Sequence, residues 1–132
     1  MGSSQSGIPR TRIAHPTGDL DAVSRFYGSA LGLKQIASFA DHDGYSGIVY
    51  AFPDADHELE FTLAPALRSK VSWSEETLLV LYVETEASFD AIVKALDRLP
   101  AVRVASANPY WDRGGVTFLD PDGRRVVIFH RR

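Results

Sequence analysis

The chain has 132 residues, 45% of them hydrophobic, a net charge of -3 and no cysteine. That is enough for one domain with its own core, and it excludes disulfides, thiolate metal sites and a cysteine nucleophile; a reducing cytoplasm suits such a composition. The acidic balance, with basic residues scattered apart from a short cluster at Arg131 and Arg132, argues against nucleic acid as a partner, and no apolar run approaches the roughly 20 residues that cross a bilayer.

Met1 to Arg10 is rich in Gly and Ser and lacks the apolar region of a signal peptide, so residues 1–10 read as a flexible tail. Arg12 to His15 reads as a strand that Pro16 stops by removing a ladder donor. Asp19 is placed to N-cap a helix through Leu31, with Gly32 as its C-terminal stop. Strands are expected at Lys34 to Phe39, Gly47 to Phe52 and His57 to Leu63, separated by the turns Asp41-His42-Asp43-Gly44 and Asp54-Ala55-Asp56. Residues 64–75 have little periodicity and read as a linker. Thr77 to Val83 is the next strand, and Ser88 to Leu99 is a helix whose Phe89, Ile92, Val93 and Leu96 share one face. Strands near 101–105, 114–119 and 124–130 follow, the last two joined by Asp120-Pro121-Asp122-Gly123, where Pro presets one dihedral and Gly supplies a positive φ.

The chain states this pattern twice. Leu20, Val23, Phe26, Tyr27 and Ala30 align at a constant offset with Glu86, Phe89, Ile92, Val93 and Leu96. Duplication predicts a single α+β domain made of two tandem βαβββ modules, 11–63 and 76–131. Strand parity then sorts the side chains. Ile13, Leu59, Phe61, Leu79, Leu81, Val83, Val126 and Ile128 form an apolar set that packs under the helices. Arg12, Ala14, Glu58, Glu60, Thr62, Leu78, Val80, Tyr82, Val127 and Phe129 form a mixed set. Charged residues among aliphatics suit the wall of a partly wet cavity rather than a core.

Asp19-Leu20-Asp21-Ala22 with Arg25-Phe26-Tyr27, Ala30-Leu31-Gly32-Leu33, and Phe118-Leu119-Asp120-Pro121-Asp122-Gly123 before the last strand together make the chain resemble the vicinal oxygen chelate superfamily. That superfamily contains glyoxalase I, bleomycin resistance proteins and extradiol dioxygenases. The resemblance covers residues 11–131 and implies strands curled as a mixed sheet around a cleft, a small-molecule ligand, and a homodimer that completes the cleft. In metal-dependent members it implies a ligand on each of four strands. Carried over, those positions fall at Arg12, Glu60, Leu78 and Val127, and only Glu60 has a competent donor. No cofactor is therefore expected.

The expected ligand-binding residues are Arg12, Tyr50, Glu58, Glu60, Tyr110 and Trp111. Glu60 opposite Arg12 across the modules reads either as a structural ion pair or as a grip on a guest. Tyr110 and Trp111, adjacent in a Pro-containing loop, either cap the core or stack on a ligand at the cleft mouth. His15 reads as a buried or edge histidine, His57 and His42 as surface residues, and His130 has no obvious partner. An acidic, aromatic-lined cavity suits a cationic or planar aromatic guest. The reading is a metal-free binding protein of the bleomycin-resistance type. The alternative is a metal-dependent lyase, isomerase or dioxygenase in which Glu60 joins Glu58, His57 or His15 around a divalent ion.

Overall fold

The structure is a computed structural model and describes residues 7–65 and 72–130. Most of the expected tail, the middle of the linker, and the pair Arg131 and Arg132 lie outside the described residues.

The first module runs β1 (Thr11–Pro16), α1 (Leu20–Val23, continued over Ser24–Ala30), β2 (Lys34–His42), β3 (Tyr45–Ala51) and β4 (His57–Leu63). The second runs β5 (Leu78–Tyr82), α2 (Glu86–Arg98), β6 (Val102–Val104), β7 (Gly115–Leu119) and β8 (Arg125–Phe129). Each module is a four-stranded mixed sheet, ordered β1-β4-β3-β2 and β5-β8-β7-β6. In each, the first strand pairs parallel with the last, which requires the helical crossover the sequence supplies.

The helix labelled α1 opens as an α-helix at Leu20–Val23 and continues as π-helix over Ser24–Ala30. Asp19 caps it as expected, its side chain accepting from the Ala22 amide at 3.0 Å. Gly32 ends it at φ +74, a left-handed conformation that only glycine adopts without steric cost. The helix α2 starts at Glu86, earlier than the periodicity alone suggests, because Thr85 accepts from the Ser88 amide at 3.1 Å.

The duplicated positions face one another. Val23, Phe26, Tyr27 and Tyr50 join Leu59, Phe61, Val93, Leu96, Phe118, Val126 and Ile128 in one buried core, with Leu79, Leu81, Val83, Phe89 and Ile92 packed against it. The parity set expected under the helices is therefore found there, with one exception. Ile13 is 45% exposed, because β1 is an edge strand and the packing thins beside it.

The two sheets stay separate: β1 and β5 are each the outer strand of their own sheet. The inner faces of both sheets contribute to the shared core, so side chains of the opposite parity turn away from it on the outer faces. Gly115 fixes one of these outer faces. A Cβ there would meet the Ile128 carbonyl oxygen at 2.6 Å and the Trp111 carbonyl oxygen at 2.9 Å, both backbone atoms. Gly115→Ala is expected to cost about 2–3 kcal/mol in a denaturant titration, the range of a core forced to accept an extra methyl.

Candidate functional site

The outer face of the first sheet carries the charged cluster. The parallel register sets Arg12 beside Glu58 and Ala14 beside Glu60, so residues of one parity rise on the same side. The Arg12 Nε donates to Glu58 at 2.8 Å and its Nη1 to Glu60 at 3.0 Å. Arg10 adds a second cation, with Nε 3.0 Å from Glu58. Glu60 thus meets Arg12 within one module, from the neighbouring strand, and not across the modules as the sequence had suggested. The hydrogen bond to Glu58 holds the Arg12 guanidinium above its usual pKa, and the same bond holds Glu58 below its own. Two guanidinia offset two carboxylates, so this face is close to neutral rather than acidic.

Tyr50 belongs elsewhere. Its register partner is Leu59, on the inner face, and it is 1% exposed with its ring edge-on to Phe61. It packs the core and does not line an outer face.

The outer face of the second sheet is aromatic. A 3₁₀ turn, Pro109–Asp112, lies over it, capped by Asn108 accepting from the Tyr110 amide at 3.0 Å. Asp112 accepts from the Ser106 amide at 3.2 Å, and the Ser106 hydroxyl meets that of Thr117 on β7 at 2.9 Å, which pins the loop to the sheet. The result brings Tyr110 and Trp111 onto Phe129. Tyr110 stacks on it at 5.8 Å and 15°, and Trp111 sits edge-on at 5.4 Å. Both aromatics therefore cover the outer sheet face and neither joins the shared core. Tyr82 stands edge-on to Phe129 at 5.7 Å and is 68% exposed. Sequence parity places Tyr82 and Phe129 in the outer set without marking either as a site residue. An aromatic on a strand face shared with no helix was the available signal.

Between β1 and β5 a cavity of about 590 Å³ opens along the seam of the modules, lined chiefly by apolar side chains such as Ile13, Leu59, Leu79, Leu81 and Ile92.

Arg12, Glu60, Leu78 and Val127 do not fit a metal. Arg12 occupies an oxygen of Glu60, Leu78 and Val127 have no donor atom, and Val127 is fully buried. The other candidates do not converge: His15 is buried on the inner face against Phe61 and Trp73, whereas His57 is exposed. Among the described residues no group of three or more His, Asp or Glu is placed to hold an ion.

Residues 11–62 match the YycE-like N-terminal domain family and residues 76–130 the YycE-like C-terminal domain family. The chain belongs to the YycE-like family. It is 42% identical over 121 residues to the uncharacterized protein YycE of Bacillus subtilis, covering 92% of this chain and 87% of that protein. The crystal structure of a Bacillus subtilis YycE protein, described as a protein of unknown function and a putative glyoxalase/fosfomycin resistance protein, superposes with a TM-score of 0.82 over 94% of this chain and 90% of that one, at 42% identity. A glyoxalase/bleomycin resistance protein/dioxygenase domain from Frankia matches with a TM-score of 0.73 at 19% identity, over 98% and 100% of the two chains. The fosfomycin resistance protein FosX of Mesorhizobium loti matches with a TM-score of 0.69 at 10% identity, over 96% and 92%. The last two establish the fold alone. This YycE-like chain therefore has the two-module fold of the vicinal oxygen chelate superfamily. No helix of the described residues is long and apolar enough to cross a membrane.

Proposed function

We propose that this YycE-like protein binds a small, planar aromatic molecule against the outer faces of its sheets, holds it without a metal, and does so as a homodimer. The observation that carries the reading is the fate of the four cleft positions. Arg12 takes the one carboxylate that a metal would need, and Leu78 and Val127 offer nothing to coordinate. What the outer faces offer instead is stacking surface: Tyr82 and Tyr110 are the exposed members of an aromatic group built on Phe129. Among neighbours of the same fold, TnmS3 of Streptomyces is described as an antibiotic binding protein.

The sheet edges support the dimer. β1 and β5 each end a sheet, and the apolar seam lies between them. An uncovered strand edge beside apolar surface is a liability that a second copy removes.

The test is ligand retention. Native mass spectrometry of the purified protein, followed by titration with planar aromatic compounds, is expected to show a dimer and binding near one guest per chain. Dialysis against zinc, nickel or iron is expected to leave less than one tightly held ion per chain, and stoichiometric uptake would overturn the metal-free reading. A monomer at micromolar concentration in light scattering would remove the dimer. Glu60→Ala is expected to change guest affinity while costing about 1 kcal/mol of stability or less, since the pair with Arg12 is partly solvated. Loss of folding with unchanged affinity would count against Glu60 as a binding residue.

A further inference from the structure

A second cavity, of about 450 Å³, lies where the 3₁₀ turn meets the ends of β8 and α2, bounded by Phe89, Tyr110, Arg113, Phe129 and His130. Its volume is that of a small-molecule site, and three features give it a chemical preference.

The first is an available cation. Arg113 is exposed and its guanidinium has no ion-pair partner among the described residues, whereas Arg10 and Arg12 are engaged by Glu58 and Glu60. Asp112, the acidic group in the lining, is directed at the Ser106 amide, with both oxygens 3.2 Å from it.

The second is an oriented histidine. The His130 Nδ1 lies 3.0 Å from the Val83 carbonyl oxygen. A carbonyl only accepts, so Nδ1 carries the proton. In the neutral ring Nε2 is then a bare acceptor on the side away from Val83. The ring is held at 6.3 Å from Phe89.

The third is the aromatic wall. Tyr110 and Phe129 lie nearly parallel, and Tyr110 keeps 43% of its surface exposed. A flat ring can lie against it.

We propose that this cavity holds a planar aromatic carboxylate that carries a hydrogen-bond donor on its ring. Arg113 pairs the carboxylate, Tyr110 stacks on the ring, and the His130 Nε2 accepts from the donor. The proposal rests on the small-molecule-binding reading above and names the ligand class of its aromatic side. It also reverses the charge expected of the guest: Glu58 and Glu60 are already paired with Arg10 and Arg12, and beside the aromatics the Arg113 guanidinium has no ion-pair partner among the described residues while the Asp112 carboxylate is turned to the Ser106 amide.

The experiment is calorimetric titration of the full chain with 6-hydroxy-2-naphthoate, 2-naphthoate and 6-hydroxy-2-naphthamide. The hydroxy acid is expected to bind at least tenfold more tightly than the amide, and Arg113→Ala to remove that difference. His130→Phe is expected to weaken the hydroxy acid to the level of 2-naphthoate while leaving 2-naphthoate unchanged. Circular dichroism confirms that each variant is folded. Equal binding of acid and amide, or an Arg113→Ala variant that binds the acid normally, overturns the assignment while the aromatic-guest reading stands. No heat from any of the three compounds at millimolar concentration also overturns it, and ligand retention then judges the wider reading by itself.

Discussion

Replacing Asp120 by alanine is expected to destabilise the protein by about 3–5 kcal/mol, the cost of breaking a buried charged network from one side. Asp120 is 6% exposed and three donors converge on it. The Tyr27 hydroxyl donates to Oδ2 at 2.7 Å, and the amides of Asp122 and Arg124 donate to Oδ1 at 2.9 Å each. Alanine orphans all three. Arg124, whose amide is one of the three, is itself 4% exposed, bonds to the His15 Nε2 and lies over the Trp73 ring at 5.2 Å. Burial raises the Asp120 carboxyl, with the hydrogen bonds from Tyr27 and the two amides pulling it back. Asp120→Asn keeps an oxygen for the two amides and lets the Tyr27 hydroxyl turn round to accept. Its loss should be less than half that of alanine. Denaturant midpoints of the two variants, at unchanged m-value, measure the difference. An Asp120→Ala protein within about 1 kcal/mol of the parent would mean that the turn holds itself without the carboxylate.

This network also explains which parts of the fold the sequence disclosed. Two pieces of the segments that carry the resemblance, Phe26-Tyr27 in the first helix and Asp120-Pro121-Asp122-Gly123 before the last strand, are far apart in sequence and touch in the structure. Tyr27 bonds Asp120, and Asp122 receives the Thr17 hydroxyl and, at 2.8 Å, the Gly18 amide. Local signals such as the cap at Asp19, the positive φ at Gly32 and the face repeated in both helices were legible because each depends on neighbours in sequence. The candidate site was legible only in part. Parity put Arg12, Glu58 and Glu60 on one face, but it does not say which strands adjoin, and so the ion pair was assigned across the modules. Tyr50 was misplaced for the same reason: its side of β3 is fixed by register against Leu59, which no local pattern encodes. The clustering of Tyr82, Tyr110, Trp111 and Phe129 depends on β5 pairing with β8 and on a loop folded over both, contacts set by the whole chain.

Acid should weaken the protein well above the range in which its carboxylates titrate, and His15 is the reason. Burial, and then the adjacent Arg124 guanidinium, push the His15 imidazole down from 6.5 to about 4. The ring is 5% exposed, with Arg124 on its Nε2, Phe61 at 5.6 Å and Trp73 at 5.2 Å. Protonation would place two cations in contact inside the fold. Between pH 6.5 and 4 the unfolded chain binds a proton that the folded chain refuses, so stability is full above 6.5 and falls as pH drops. The slope approaches about 1.4 kcal/mol per pH unit and the total is at most about 3.5 kcal/mol. Other groups act lower or oppose it. Glu58 and Asp97, held below their usual range by Arg12 and Arg103, lose their contribution only when pH falls through the carboxylate range. Asp120, raised by burial, gains relative stability in that same acid range. His15→Gln isolates the effect, because the amide oxygen still accepts from Arg124 and never takes up a proton. Denaturant stability measured from pH 7.5 to 4.5 is expected to fall for the parent and to stay nearly flat down to about pH 5 for His15→Gln. Parallel curves for the two proteins would show that folded and unfolded chains take up the His15 proton alike, and that burial beside Arg124 does not hold the imidazole neutral.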